Sequence, residues 1–525
     1  MVSSEAGVVD IDPSTIVEKG RLGPGQMIAV DFQTQEILKN WTLKQRVANG
    51  QPYGAWLQQQ RKVLSPQLFQ DDNLLEAKQL LTQQTAFGYT AEDVEMIIQD
   101  MAAQAKEPIF CMGDDIPLAV LSQKPHLIYD YFKQRFAQVT NPAIDPLRER
   151  LVMSLNTQLG RRGNLLQEKA EHARLLKLES PVVNEPELEQ IRHSGFAVAT
   201  LSTLYGLNDG PNGLKHAVEV LCQQVDKAVE SGHEILILSD RVDLIVLFVV
   251  LVSEVTYIHP LVAVGAVHHH LIRKGLRMRA SLVVDTAQCW STHHFACLVG
   301  YGASAVCPYL AFETVRHWWS EAKTQKLMET GRLPVLTLNG AQDNYRKAVN
   351  AGLLKILSKM GISLLSSYQG AQIFEAIGLG ADLVDLAFHG TTSRLGGLTI
   401  ADLAQETVNF HSRAFPELSG KRLENMGFVQ ARPKGEYHMN SPALTKLLHK
   451  ALQTEQYDHY ELYTKQLENR PVTALRDLLE FYSDREPIAV DEVESIADIM
   501  QRFCTGGMSL GALSREAHEV LAIAM

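Results

Sequence analysis

The chain has 525 residues, room for three to four domains at roughly 150 residues each. With 46% hydrophobic and 21% charged residues it can bury a large core. Its 49 basic and 60 acidic side chains leave a formal charge of −11 with no basic tract, which argues against nucleic acid or an anionic membrane as the main partner. Six cysteines without a C-x-x-C pair are too sparse for a disulfide scaffold and point to a reducing compartment.

The start, MVSSEAGVVDIDPS, has no basic stretch and no apolar run, so no secretory signal is expected. Gly20, Gly23, Pro24 and Gly25 then punctuate a turn-rich stretch before a short apolar strand at 27–32 and a turn at 33–35. A lone strand pair is not independently stable, so this zone must lean on something. Residues 40–64 read as an amphipathic, partly helical connector.

From residue 66 to about 416 the pattern alternates. Strands are expected at ILILSD (235–240), ASLVVDTA (280–287), ASAVCPYLA (303–311), ISLLSSY (362–368) and ADLVDLAF (381–388). Helices are expected at LVAVGAVHHHLIRKG, STHHFACLVGYG, ETVRHWWSEAKTQKLMETG and QGAQIFEAIGLG. Near-continuous apolar strands between helices predict an α/β fold with a parallel sheet covered on both faces. Its ligand crevice would lie at the strands' carboxyl ends, marked by Asp240, Asp285-Thr286, Ser366-Ser367 and His389-Gly390. The most apolar run, LIVLFVVLV, has nine residues between Asp243 and Glu254, well short of the roughly twenty a spanning helix needs. No membrane span is expected.

The last zone, 417–525, opens with polar helical sequence and reaches CTGGMSLGALS (504–514). This reads as a strand in which Gly506, Gly507, Ser509 and Gly511 leave the backbone open to a flat ligand. Ser514 then caps a helix. That helical pattern runs to Met525 without a stop signal, so the length is expected to be that of a piece.

Three clusters invite chemistry. His268, His269, His270, Cys289, His293, His294, Cys297 and Cys307 carry zinc-ligand groups, but no metal-binding spacing appears and consecutive histidines diverge around a helix. Core thiols and hydrogen-bonded imidazoles are the favoured reading, so no metal ligand is assigned. GTTSRLGG (390–397) lacks both phosphate-loop spacings and is better read as a tight surface loop. Asp114 and Asp115 could do acid–base or metal work, yet acids so placed more often accept backbone N–H groups and cap the following helix. No residue is assigned as catalytic.

Several strings together resemble one family. GRLGPGQMIAVD, FGYTAEDVEMII, CMGDDIPLAVLS, FAQVTNPAIDPLRERLVMSL, LVAVGAVHHHLIR, DTAQCWSTHHFACLVGYGASAVCPYLA, SYQGAQIFEAIGLG, DLAFHGTTSRLGG and GGMSLGALSREAH are similar to glutamate synthase, best the ferredoxin-dependent type. The resemblance covers essentially the whole chain. FCMGDDIPLAV and GGMSLGALS favour that type over the large subunit of the NADPH-dependent enzyme, which stays the alternative.

The resemblance implies a modular enzyme of glutamate biosynthesis and nitrogen assimilation. A glutamine amidotransferase domain releases ammonia from L-glutamine, and a central domain links it to an FMN barrel. There ammonia condenses with 2-oxoglutarate, and reduced flavin delivers hydride to the resulting 2-iminoglutarate, giving L-glutamate. Electrons pass from ferredoxin through a 3Fe-4S cluster. On this sequence, 1–65 would be the β-rich end of the glutaminase domain with its connector, 66–416 the central domain, and 417–525 the start of the FMN domain with the first βα unit of an incomplete TIM-type barrel. Gly507, Met508 and Ser509 match the strand end that approaches the flavin. Cytoplasm, or plastid stroma in a photosynthetic eukaryote, would be the location.

Departures from the family pattern set further expectations. The family's nucleophile is an N-terminal cysteine whose own amino group is the base, whereas this chain begins Met1-Val2-Ser3 and its first cysteine is Cys111, in a central-domain motif. The iron–sulfur ligands fall beyond Met525, and one strand cannot close a barrel. The chain alone is therefore expected to bind neither cofactor and to be inactive, with the missing glutaminase and FMN domains as its structural partners. DLIVLFVVLVSEV (243–255) replaces a shorter, more polar connection and reads as an extra buried strand or a sequence error. Two rivals remain: a zinc-dependent α/β hydrolase built on the His/Cys cluster, and a non-catalytic central-domain scaffold.

Overall fold

A computed structural model describes residues 2–5, 7–69, 74–110, 114–135, 144–145, 147–241, 254–415 and 422–525. The chain divides into two units, Met1–Ala474 and Leu475–Met525.

The first unit is organised around a four-stranded sheet. Its strands are Val198–Ser202, Ile235–Ser239, Ser281–Asp285 and Ala303–Cys307, all parallel and adjacent in chain order. Every residue of the last three is buried. Helices on both faces remove the need for alternation, which is why these strands read as continuous apolar runs. The register brings the carboxyl ends level, with Asp285 beside Ser239 on one side and Cys307 on the other.

The helices around the sheet form where local chemistry starts them. Gly213–Glu230 turns a stripe of Leu214, Val218, Leu221, Val225 and Val229 inward. Pro260 opens Pro260–Arg273, where a missing N–H does no harm. The Ser291 side chain accepts the His294 N–H and caps Thr292–Gly300. Leu338–Met360, capped by Thr337, ends at Gly361 with φ 69°, a conformation glycine adopts freely.

Several expectations change. Leu365–Tyr368, expected as strand, is a helical turn, and Ala381–Ala387, also expected as strand, is a helix. In the latter, buried Leu383 and Ala387 are four residues apart, a helical spacing that a short apolar run conceals. Conversely, Phe374–Ala376 is a strand inside an expected helix, with buried Phe374 and Ala376 flanking half-buried Glu375. It pairs antiparallel with Phe132–Gln134 and parallel with Thr392–Ser393. The long helix expected from Glu313 to Gly331 breaks at the extended residue Glu321. Near the start, Ala29–Asp31 pairs with Glu36–Leu38, and the helices Asn40–Ala48 and Tyr53–Gln60 follow.

Most of the 243–255 segment lies outside the described residues. Its end belongs to Val255–Tyr257, a strand antiparallel to Leu204–Gly206. No helix among the described residues is long and apolar enough to cross a membrane.

In the second unit, Ser495 caps Ile496–Met500 and Ser514 caps Arg515–Ala524, the latter as expected. Residues 504–513 form no strand, because no partner strand lies beside them in this unit. Phe481, Tyr482, Ile496, Val520 and Ile523 are all exposed.

Candidate functional site

The carboxyl end of the sheet is where an α/β fold ordinarily takes a ligand. Here the chain's own side chains occupy it. Asp285, with no exposed surface, accepts hydrogen bonds from Ser239 Oγ at 2.9 Å and Arg241 Nε at 3.1 Å. The Arg241 guanidinium lies 3.9 Å from the centroid of the Tyr309 ring. Asp240 accepts from Thr286 Oγ1 at 2.5 Å and the Ala287 N–H at 3.0 Å. Burial, with Asp285 nearby, pushes the Asp240 carboxyl up to about 7 against these bonds. These hydrogen bonds tie the strand ends to one another.

The open space lies beside it, a cavity of about 370 Å³. Ala77–Ala86, the turns at 88–93 and 114–133, the 290–294 loop, the end of Ile400–Ala414 and the segment 422–429 surround it. Thr90 and Asp93 form a reciprocal cap, Thr90 N–H and hydroxyl both donating to Asp93 Oδ2, while Trp290 Nε1 donates to Oδ1 at 3.1 Å. Burial still pushes Asp93 up to about 6. Tyr89 packs on Trp290 at 3.9 Å between centroids, and Tyr129 stacks on His294 at 4.2 Å. Burial pushes His294 down to about 3, so it is neutral at pH 7. His126 behaves oppositely. Burial disfavours its charge, but the hydrogen bond with Asp130 at 2.8 Å and the attraction of Asp130 and Glu436 outweigh burial and hold it up to about 9. The cavity wall thus combines a cationic imidazole, a neutral imidazole and a weakly acidic carboxyl. It offers polar and aromatic contacts but no activated nucleophile among the described residues. Cys289, Cys297 and Cys307 are fully buried, and burial pushes all three thiols well above their usual range.

The residues singled out in the sequence are dispersed. His268 Nδ1 accepts from Arg277 Nε at 2.9 Å, while His270 Nε2 lies 2.8 Å from Asp226 Oδ1. His269 packs edge-on to His389. His293 Nε2 meets the Tyr129 carbonyl at 2.9 Å, with Cys297 Sγ at 3.6 Å. Among the described residues no three His, Cys, Asp or Glu side chains gather as a metal-ligand group. Cys111 lies outside the described residues. Asp115 does not cap the following turn but accepts from His438 Nδ1 at 2.9 Å and the Asn440 N–H at 3.3 Å. The 390–397 loop serves packing: a Cβ at Gly397 would stand 2.3 Å from the Gly378 carbonyl oxygen.

Gly507, Met508 and Ser509 are exposed, and a Cβ at Gly506, Gly507 or Gly511 would meet nothing within 4 Å. A flavin needs walls on both faces and an anion site for its phosphate, so this stretch alone does not make a cradle for it. The five described cysteines likewise do not make the three-thiolate set of an iron–sulfur cluster: four are buried, Cys504 is exposed, and no three ligand side chains gather among the described residues.

Sequence reasoning missed Asp93 and Glu92. The Thr90-x-x-Asp93 spacing was a readable cap signal. Glu92 was not readable, because its partners are the backbone N–H groups of Phe428 and Gln430.

Comparison with known proteins then places the chain. The family described as "Glutamate synthase central domain" matches residues 82–380. "Conserved region in glutamate synthase" matches 438–525, and "Glutamine amidotransferases class-II" matches 1–56. A protein named ferredoxin-dependent glutamate synthase 2, from Synechocystis sp., is 62% identical over all of this chain and 34% of its own length. Ferredoxin-dependent glutamate synthase from Pyropia yezoensis is 59% identical, again over all of this chain and 34% of its own. The Oryza sativa protein, named as chloroplastic, is 56% identical over all of this chain and 32% of its own. The chain spans about a third of the length of these curated relatives. It belongs to the glutamate synthase family, with ferredoxin-dependent members as its relatives.

Proposed function

We propose that this chain is the connecting core of a ferredoxin-dependent glutamate synthase, which makes L-glutamate from 2-oxoglutarate and ammonia released from L-glutamine. Residues 66–416 would be the central domain, with 1–65 ending the glutaminase domain and 417–525 beginning the FMN domain. The observation that carries the reading is 62% identity to such an enzyme over the entire chain. The site chemistry agrees: the sheet's crevice is filled by Asp240, Arg241, Asp285 and Tyr309, and the central thiols are buried and protonated. This part of the enzyme would hold and connect, leaving bond-making to other parts.

Gly507, Met508 and Ser509 remain our candidates for one edge of a flavin site whose other walls the described residues do not supply. Neither FMN nor a 3Fe-4S cluster would then be held by these 525 residues alone. Ferredoxin would dock on the full enzyme, in cytoplasm or in plastid stroma. The test is purification of the 525-residue chain, followed by assay for glutamate from glutamine and 2-oxoglutarate with a reduced viologen. No turnover and no flavin absorbance are expected. Turnover, or flavin at near-stoichiometric occupancy, would overturn the connecting role.

A further inference from the structure

We propose that residues 422–440 form a releasable strap that roofs the cavity and is pinned shut by Glu92 and by the His126–Glu436 pair. The segment lies between the helices Ile400–Ala414 and Pro442–Thr454 and contains neither helix nor strand. Leu423, Met426, Phe428 and Val429 line the cavity from its side.

The strap is held by side chains of two kinds. Its apolar side chains are only half-buried, whereas its buried side chains are Glu436 and His438. Polar pins fasten the strap beside these partly buried apolar contacts. Glu92, 2% exposed, accepts the Phe428 N–H at 2.7 Å and the Gln430 N–H at 3.1 Å, a nest of strap amides closed on one body carboxylate. The Ser122 hydroxyl donates to Glu436, and His126 Nε2 lies 3.8 Å from the same carboxylate. His126 also packs on the Phe428 ring at 4.4 Å between centroids. Farther along, His438 bridges Asp115 and the Gly427 carbonyl, and Lys124 Nζ reaches the Lys434 carbonyl at 2.9 Å. Such a segment opens below the free energy of global unfolding.

The pin has a defined pH sense. The acids facing His126 are Asp130 in its own turn, Glu436 on the strap and Glu406 on Ile400–Ala414. His126 is held up to about 9, from an ordinary 6.5. Its contribution is whole below the ordinary value and fades as pH rises through 9. Glu436 is held down to about 2, so its contribution is whole above the ordinary carboxylate value and fades as pH falls from there through 2. The strap should loosen on the alkaline side, uncovering the cavity and slackening the lead into Pro442–Thr454.

Hydrogen exchange by mass spectrometry on the 525-residue chain tests this, with rates corrected for base catalysis. Between pH 6.5 and 9.5, protection at 428–430 should fall about tenfold while the strands 235–239 and 281–285 keep theirs. Glu92→Gln should lower strap protection at every pH, and His126→Phe, which keeps the ring contact, should remove the pH response. Strap protection that tracks the sheet at every pH would overturn the proposal, and that comparison needs no variant. A pH response surviving in His126→Phe would overturn the pin.

Discussion

Arg346 holds Glu187 with two parallel bonds, Nη1 to Oε1 at 2.9 Å and Nη2 to Oε2 at 2.8 Å. The carboxylate is already committed at the start of Glu185–Arg192, where it accepts the Asn184 N–H in a capping box. Its side chain is only 4% exposed. One acid thus fastens a helix start to the middle of Leu338–Met360.

Arg346→Met should therefore lower stability by about 3 kcal/mol, because it strands a buried charge rather than merely removing an attraction. The urea midpoint checks this. A loss under about 1 kcal/mol would mean that the capping bonds alone support the carboxylate.

Gly265 sits inside Pro260–Arg273 with its missing Cβ 2.3 Å from the Ala387 carbonyl oxygen. An exposed helical glycine gains about 1 kcal/mol on becoming alanine. Gly265→Ala should reverse that sign and destabilise by about 1–3 kcal/mol, since two backbones must separate. Thermal denaturation of the variant beside Gly54→Ala, a helical site with open space around it, gives the contrast.

Asp240 carries a pH consequence. Its carboxyl is raised to about 7 by burial, so between its ordinary value and 7 the folded state keeps a proton that the unfolded state has released. Stability attributable to this group falls as pH rises through that window, by at most about 1.4 kcal/mol per unit. Asp240→Asn should flatten the stability profile between pH 4 and 7. An unchanged slope would show that Asp240 does not supply it.

Cys504 is the exposed thiol among the described cysteines. Cys504→Ser should reduce the count of fast-reacting thiols in the native chain by one, measured with a colorimetric disulfide reagent. The same change at Cys289 should leave the fast count unaltered, because that thiol is buried and protonated.

Much of the sheet was legible because fully buried parallel strands leave a plain mark: ILILS, SLVVD and ASAVC are runs with no polar alternation. Short apolar segments were harder. Residues 381–387 and 374–376 exchange the expected types because three to seven residues cannot distinguish a buried turn of helix from a strand before neighbours are known. The 504–513 stretch has strand-like composition but no partner in its unit. Of the cavity, the Thr90–Asp93 cap was written in local spacing. The pairings of His126 with Glu436 and of Asp115 with His438 were not, since each joins residues more than 300 positions apart.

The Arg241 stack on Tyr309 also bears on redesign. These two residues and Asp285 form a plug in the socket that a sheet of this kind offers to small molecules. They can be withdrawn only as a set, because taking Arg241 alone maroons a carboxylate with no exposed surface. An engineer wishing to seat a new ligand in this scaffold should replace all three at once with small neutral residues, and would then inherit a pocket whose floor is the level end of the central strands.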